Sequence, residues 1–412
     1  MSKLKNLGVN LGLTLGGLLM GVIIGEIGLR VAKIEGYQKI GDFVESAPTN
    51  FHTSDRDLGW KLKPNVSGEW KGEGASFVRV NSEGLRDREH SKVKPPNTLR
   101  VAVLGDSFTE AIHVPIEQTF WSKLERKLGN CAAVKGNKNV EVINFGVQGY
   151  STAQALIMLR KKVWDYNPDI VVLAFFTGND IINNSPKLEY DLYRPFFVYN
   201  ENGKLVKNNS FRDLKPIDRN KNAVSFVDRL PGWLVDNSRI LQVVKKADLD
   251  LKKRHLSEDF TNLSTKNLKP PENSVWEDAW KVTEGLIVKI RNEVVQKNAD
   301  FLLVVIGDPI QVDRDPAKRQ NLMQENNIQD LYYADRRLEK LGASKGFRVL
   351  TLSEQFKGYT EKYQVCVHGF DNSVPCGGHW NEIGHRLASI LINQNLCREL
   401  KLKQSQTPKR QS

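Results

Sequence analysis

Four apolar, largely β-branched runs divide this 412-residue chain: Val101 to Leu104, Val140 to Phe145, Asp169 to Phe176, and FLLVVIGD at 301–308. The run from Val101 to Leu104 is apolar enough to be covered on both sides, as strands of a parallel sheet are. The stretches between them carry helical periodicity. A helix from Trp276 to about Lys297 aligns Trp280, Leu286, Ile287, Ile290 and Val294 on one face. Others are expected over Glu117–Leu128, over QDLYYADRRLEKLGASKG at 329–346 with its glycine stop, and over EIGHRLASILINQNL at 382–396, with FRVLTL as a last short strand before the closing helix. Strands alternating with helices require right-handed crossovers, which put helices on both faces of a mainly parallel sheet. The predicted class is α/β.

Segments outside this rhythm set the predicted organisation. Residues 1–33 are read as a membrane anchor, and 34–98 as a polar linker followed by a short β-rich segment. That segment, GWKLKPNVSGEWKGEGASFVRVNSEGLRD at 59–87, alternates around Gly and Asn turns as two or three short strands. The main domain is 99–398 with an insertion at 183–275. Inside the insertion RPFFVYNENGKLVKN reads as a hairpin turning at Asn202 and Gly203. Phe196, Phe197 and Trp233 there are read as the insertion's own core rather than an acyl pocket. The tail 399–412 has no core-forming pattern and is expected to be disordered.

The anchor reading rests on NLGVNLGLTLGGLLMGVIIG, residues 6–25, which carry no charge over the length needed to cross a bilayer. No Ala-x-Ala pattern follows, so an uncleaved helix is favoured over a signal peptide. With Lys3 and Lys5 held inside, the rest of the chain is expected on the extracytoplasmic, periplasmic side. Gly17, Gly21 and Gly25 recur every four residues and make a stripe able to support helix–helix dimerisation. The formal net charge of +12 raises the question of nucleic acid, but the lysines are scattered and no zinc-finger or RNA-binding signature accompanies them. A basic surface suits anionic lipid or polysaccharide better. Four cysteines fit an oxidising compartment; Cys366 and Cys376 suit a local disulfide, and Cys131 and Cys397 are either a second pair or two free thiols. No Cys-x-x-Cys appears, so a zinc site is not expected.

Three of the predicted strands end unusually: in Gly105-Asp106-Ser107, in Asn144-Phe145-Gly146, and in Gly178-Asn179-Asp180. A strand followed by Gly-Asp-Ser is, alone, equally well a capped turn. Side by side at the carboxyl edge of a sheet, however, the three ends would bring together a hydroxyl, a glycine amide and a carboxamide. Attack on an ester needs a nucleophile and fixed N–H donors for the oxygen that becomes negative. Ser107 N–H, Gly146 N–H and the Asn179 side chain are the candidate donors. The base that activates Ser107 is assigned to His379, in a glycine-flanked loop just before the last helix, where a side chain can reach over the strand ends. His385, inside that helix, is read as packed or capping.

The blocks GDSF (105–108), NFGVQG (144–149), TGND (177–180) and GGHWN (377–381) resemble, in order, the four motif blocks of the SGNH hydrolases, also called GDSL esterases and lipases. The resemblance covers roughly residues 100–182 and 300–398. It implies a flavodoxin-like three-layer α/β/α sandwich hydrolysing carboxylic esters or thioesters without metal or cofactor, with Ser107 as nucleophile, Gly146 and Asn179 completing the oxyanion hole, and His379 as base. An apolar segment, then strands, then a GDSF core also resembles membrane-anchored bacterial members. One departure stands out: where the family has an aspartate three residues before the histidine, this chain has Cys376. Asp371 is then the candidate acid, with a main-chain carbonyl, or no orienting group at all, as the alternatives.

The leading expectation is therefore a membrane-anchored extracytoplasmic serine esterase acting on acyl or acetyl esters of lipid or cell-surface polysaccharide. An acyltransferase to a polysaccharide hydroxyl, and a catalytically weak binding module retaining the cleft, are the competing readings. The insertion leaves from the strand end carrying Asn179 and is expected to overhang the site.

Overall fold

The computed structural model describes residues 2–32, 51–134, 139–189, 194–208, 227, 230–245, 247 and 265–406. The linker expected over 34–55 lies outside these residues as far as residue 50, as do much of the insertion and the end of the tail. The chain forms two compact units, Met1–Asp42 with Asp213–Thr261, and Phe43–Arg212 with Asn262–Ser412.

In the first unit a long helix runs Ser2–Val31, and a short one Gly232–Asn237. Near its end Glu26 accepts the N–H groups of Arg239 (2.7 Å) and Ile240 (3.1 Å). Of the glycine stripe, Gly25 lies against Ile240 of the same chain, whereas Gly17 and Gly21 have nothing within 4 Å of where a Cβ would stand. Among the described residues no helix is long and apolar enough to cross a membrane, so the structure does not support the anchor expected over residues 6–25.

The second unit begins with four short strands, β1 (His52–Asp55), β2 (Gly59–Leu62), β3 (Ser67–Trp70) and β4 (Ser76–Arg79); the last three fall within 59–87, where two or three were expected. They pair as two antiparallel hairpins, β1 with β2 and β3 with β4. The main sheet contains β5 (Thr98–Leu104), β6 (Asn139–Asn144) and β7 (Ile170–Phe176). The insertion opens with the hairpin β8 (Phe196–Tyr199) and β9 (Leu205–Asn208), after which β10 (Asp300–Ile306) and β11 (Arg348–Thr351) return to the sheet. Its order is β11-β10-β7-β5-β6, with every pair parallel. Counted along the chain this is 2-1-3-4-5, the flavodoxin-like order, and its topological switch lies between β5 and β7. The crevice outside the carboxyl ends of those two strands is where the order of connections reverses.

Period-two alternation sorts the strand residues between the two faces. Leu99, Val101 and Val103 of β5 join Phe120, Trp121, Leu124, Ala388 and Ile392 in one cluster, so helices Phe120–Gly129 and Glu382–Gln406 cover that face. Helices Thr152–Lys161 and Ser274–Gln296 pack together as the opposite layer. Each large apolar side chain removed from water here contributes about 1.5–3 kcal/mol. The helix expected from Glu117 starts at Phe120 instead, because Thr119 caps it, its Oγ1 accepting from Ser122 N–H, and a single 3-10 turn at Ile116–Gln118 precedes it. The closing helix runs on to Gln406, correcting the disordered tail predicted from residue 399. Its extension is tied by Lys403 to Asp300 and by Gln404 to the Ala133 carbonyl.

Both disulfides are formed, Cys131 with Cys397 and Cys366 with Cys376. The first joins residues 266 apart and so closes most of the domain into one loop. Replacing both Cys131 and Cys397 by serine is expected to cost about 2–4 kcal/mol of stability through the freed unfolded chain. Urea unfolding of the oxidised protein and the double variant measures it.

Candidate active site

Strand β5 ends at Leu104, and three residues on Ser107 opens a one-turn helix, Ser107–Glu110. Asp106 caps that turn: its Oδ1 accepts from Phe108 N–H at 3.0 Å. The turn is closed by Ala111 in the left-handed region, φ 58°. Ser107 is therefore held at the switch point with its own N–H at the first helical position, where no carbonyl of the turn can accept it. From the other end of the chain, His379 Nε2 lies 2.8 Å from Ser107 Oγ. The hydroxyl and the imidazole are separated by 272 residues in sequence.

The carboxylate that orients the imidazole belongs to Glu73, not Asp371. Glu73 Oε2 is 2.5 Å from His379 Nδ1, and its Oε1 accepts the His379 backbone N–H at 2.8 Å. Asp371 is exposed in the His379 loop. Glu73 sits in the connection between β3 and β4, in the β-rich segment ahead of the sheet. Burial would raise its pKa, but the hydrogen bond and charge of His379, with the His379 N–H, draw the carboxyl below its ordinary value. It is thus ionised whenever the imidazole needs a partner.

Two segments far apart in sequence are locked together to make this contact. Asn372 accepts from Gly74 N–H and donates to the Gly74 carbonyl, both at 2.9 Å. The Cys366–Cys376 disulfide closes the histidine loop, and Gly369 N–H donates to the His379 carbonyl at 3.0 Å. Gly378, at φ +68°, has no room for a side chain, since a Cβ there would stand 2.0 Å from Glu73 Oε1. His385 is buried and its Nδ1 accepts from Phe120 N–H at 3.2 Å, a capping contact.

The other expected donors are at the same edge, differently engaged. Gly146 N–H, expected as an oxyanion donor, donates to Asn144 Oδ1 at 2.9 Å. The close approach that glycine permits there is to the Ser107 helix: a Cβ would stand 2.4 Å from Thr109 Cβ. Asn179 Nδ2 lies 3.5 Å from Asp106 Oδ2, at the limit of a hydrogen bond, and its Oδ1 is buried without a partner. Beneath the serine, burial pushes the Asp106 carboxyl up to about 6, against the Phe108 N–H and the His379 charge that pull it down. Asp180 is raised well above the carboxylate range by burial and by the Asp106 charge beside it.

Glu73, His113 and His379 each place a ligand atom within 4.8 Å of the others. The two rings are stacked with centroids 3.8 Å apart and planes 15° from parallel, so their in-plane lone pairs run side by side rather than converging on one ion. A tetrahedral metal needs converging donors.

A serine hydroxyl on an imidazole, the imidazole on a carboxylate, and all three at the carboxyl edge of a parallel sheet define the chemistry of a serine hydrolase site. No family model matches the chain, and no curated protein matches it. Solved structures similar to it include an acetyl xylan esterase, 13% identical over 72% of this chain and 100% of that one, TM-score 0.36. The lipase/acylhydrolase from Enterococcus faecalis is 16% identical over 73% and 96%, TM-score 0.35. A catalytic mutant of an acetylxylan esterase from Geobacillus stearothermophilus is 9% identical over 75% and 96%, TM-score 0.36. At these identities and scores the likeness assigns no residue its role, and the site's own geometry has to.

Glu73 is the residue that sequence reasoning missed. Its only signal is an acidic side chain between two glycines, Gly72 and Gly74, in a turn of a segment otherwise patterned as strands. Nothing local connects it to a histidine 306 positions away.

Proposed function

We propose that the chain is a serine esterase that hydrolyses carboxylic esters through Ser107, His379 and Glu73. The single observation that carries the reading is the continuous hydrogen-bonded line from Ser107 Oγ through the His379 ring to the Glu73 carboxylate. Ser107 Oγ attacks the acyl carbon while His379 Nε2 takes its proton, and Glu73 stabilises the imidazolium through Nδ1–H. The carbonyl oxygen, now negative, is met by the Ser107 N–H and the Asn179 amide. His379 returns the proton to the leaving alkoxide as the ester bond breaks, leaving an acyl-serine. Water, deprotonated by the same imidazole, then releases the acid and restores the hydroxyl.

Acyl or acetyl esters of lipid or cell-surface polysaccharide are the proposed substrates. Two disulfides support an extracytoplasmic site of action, where thiols are not kept reduced. Attachment to a membrane rests on the uncharged stretch at 6–25 alone. The binding-module reading loses its main support, because the acid it took to be lost is supplied by Glu73.

The test is labelling of the full chain with a serine-reactive fluorophosphonate, followed by turnover of p-nitrophenyl esters from acetate to long chains. One adduct, on the peptide containing Ser107, is expected, and carbonate-washed membranes are expected to hold the labelled chain. An intact protein that takes no label sinks the esterase reading; a labelled protein found only in the soluble fraction sinks the anchor.

A further inference from the structure

The His379 ring is part of a row of aromatic groups. His113 stacks on it at 3.8 Å, with planes 15° from parallel. Phe370 stacks on His113 at 6.3 Å, and Trp70 meets His113 edge-on at 6.1 Å. Phe108, next to the serine, packs on His379 at 5.1 Å. His113 is only 2% exposed. Its Nε2 lies 4.0 Å from Glu73 Oε2, beyond a hydrogen bond, and its Nδ1 has no partner. The ring therefore meets the site through its face and not through a nitrogen. Burial, together with the charges of His379, His385 and Arg86, holds its pKa well below the ordinary histidine value, so it stays uncharged while its neighbour gains and loses a proton.

Resting on the serine-esterase reading, we infer that His113 is a positioning residue: its neutral ring fixes the plane of the His379 ring, and its π face stabilises the imidazolium formed when Ser107 gives up its proton. An imidazole held at Nδ1 and Nε2 alone can still rock about the line joining those two bonds. A flat ring stacked on it removes that freedom, and both hydrogen bonds then stay aligned through the reaction. The stabilisation grows as the ring becomes charged, as a cation over an aromatic face requires. It is therefore larger in the transition state than in the free enzyme, which places the effect in kcat and not in KM.

The experiment compares His113→Phe, His113→Leu and His113→Ala in the full chain, measuring kcat and KM on p-nitrophenyl acetate, the rate of fluorophosphonate labelling, and thermal midpoints. Phenylalanine keeps a flat face, whereas leucine fills similar space without one. Expected are kcat losses of about 30- to 100-fold for Leu and Ala with KM within about twofold, parallel slowing of labelling, and kcat for Phe within about threefold of the parent. A folded Leu variant with parental kcat overturns the inference, and so does a folded Phe variant as slow as Leu. If Ala does not fold, the contrast between Phe and Leu still decides. A parent protein that takes no label would instead fail the esterase reading on which the inference rests.

Discussion

Glu73→Gln is expected to lower kcat on p-nitrophenyl acetate by about 10³- to 10⁴-fold while the protein stays folded. Glutamine fills the same space, but an amide facing His379 Nδ1 offers an N–H where the imidazole needs an acceptor. The ring then rests with its other nitrogen protonated, and the nitrogen facing Ser107 can no longer take a proton. Glu73→Asp keeps the charge and withdraws it by one methylene, so a smaller loss, about 10- to 100-fold, is expected. Because Glu73 also accepts the His379 backbone N–H, the Gln variant is expected to lose about 1–2 kcal/mol of stability in chemical denaturation, too little to unfold the domain. Gln within threefold of the parent would show that serine and histidine suffice without a carboxylate.

Ser107→Ala is expected to reduce turnover by about 10⁴- to 10⁶-fold and to abolish the phosphonate adduct. The alanine removes the only atom that forms a bond to the acyl carbon, while the Ser107-position N–H, the Asn179 amide and the imidazole remain. A residual rate above that of water is expected from those donors acting on a bound ester. Stability should change little or rise slightly, since Ser107 Oγ is a buried hydroxyl whose bond is to a partly exposed ring. Saturation kinetics with a variant retaining a tenth or more of parental kcat would mean that another nucleophile carries the reaction, and the line from Ser107 to Glu73 would need another purpose.

The strand runs were legible because burial on both faces leaves a signature in the residues themselves. Val101–Leu104, the run at 169–176 and the run at 301–308 all lie in the sheet, their ends offset by up to three residues. The hairpin turning at Asn202 and Gly203 was legible for the same kind of reason, a turn pair between apolar segments. The tail was misread because Lys403 and Gln404 extend the last helix through contacts to residues 103 and 271 positions away, which composition cannot show. The partner of the Gly146 N–H, Asn144 Oδ1, was not legible because it belongs to a neighbour whose side chain could have pointed anywhere.

Sequence by itself determined the sheet, the helices between its strands, and the arrival of Ser107 and Asn179 at its carboxyl edge, because hydrophobic periodicity is a local property that each segment carries alone. Only the tertiary structure decided which carboxylate meets His379. Polar groups choose partners by proximity after packing, and the turn bearing Glu73 meets the histidine loop where Asn372 bonds both the N–H and the carbonyl of Gly74.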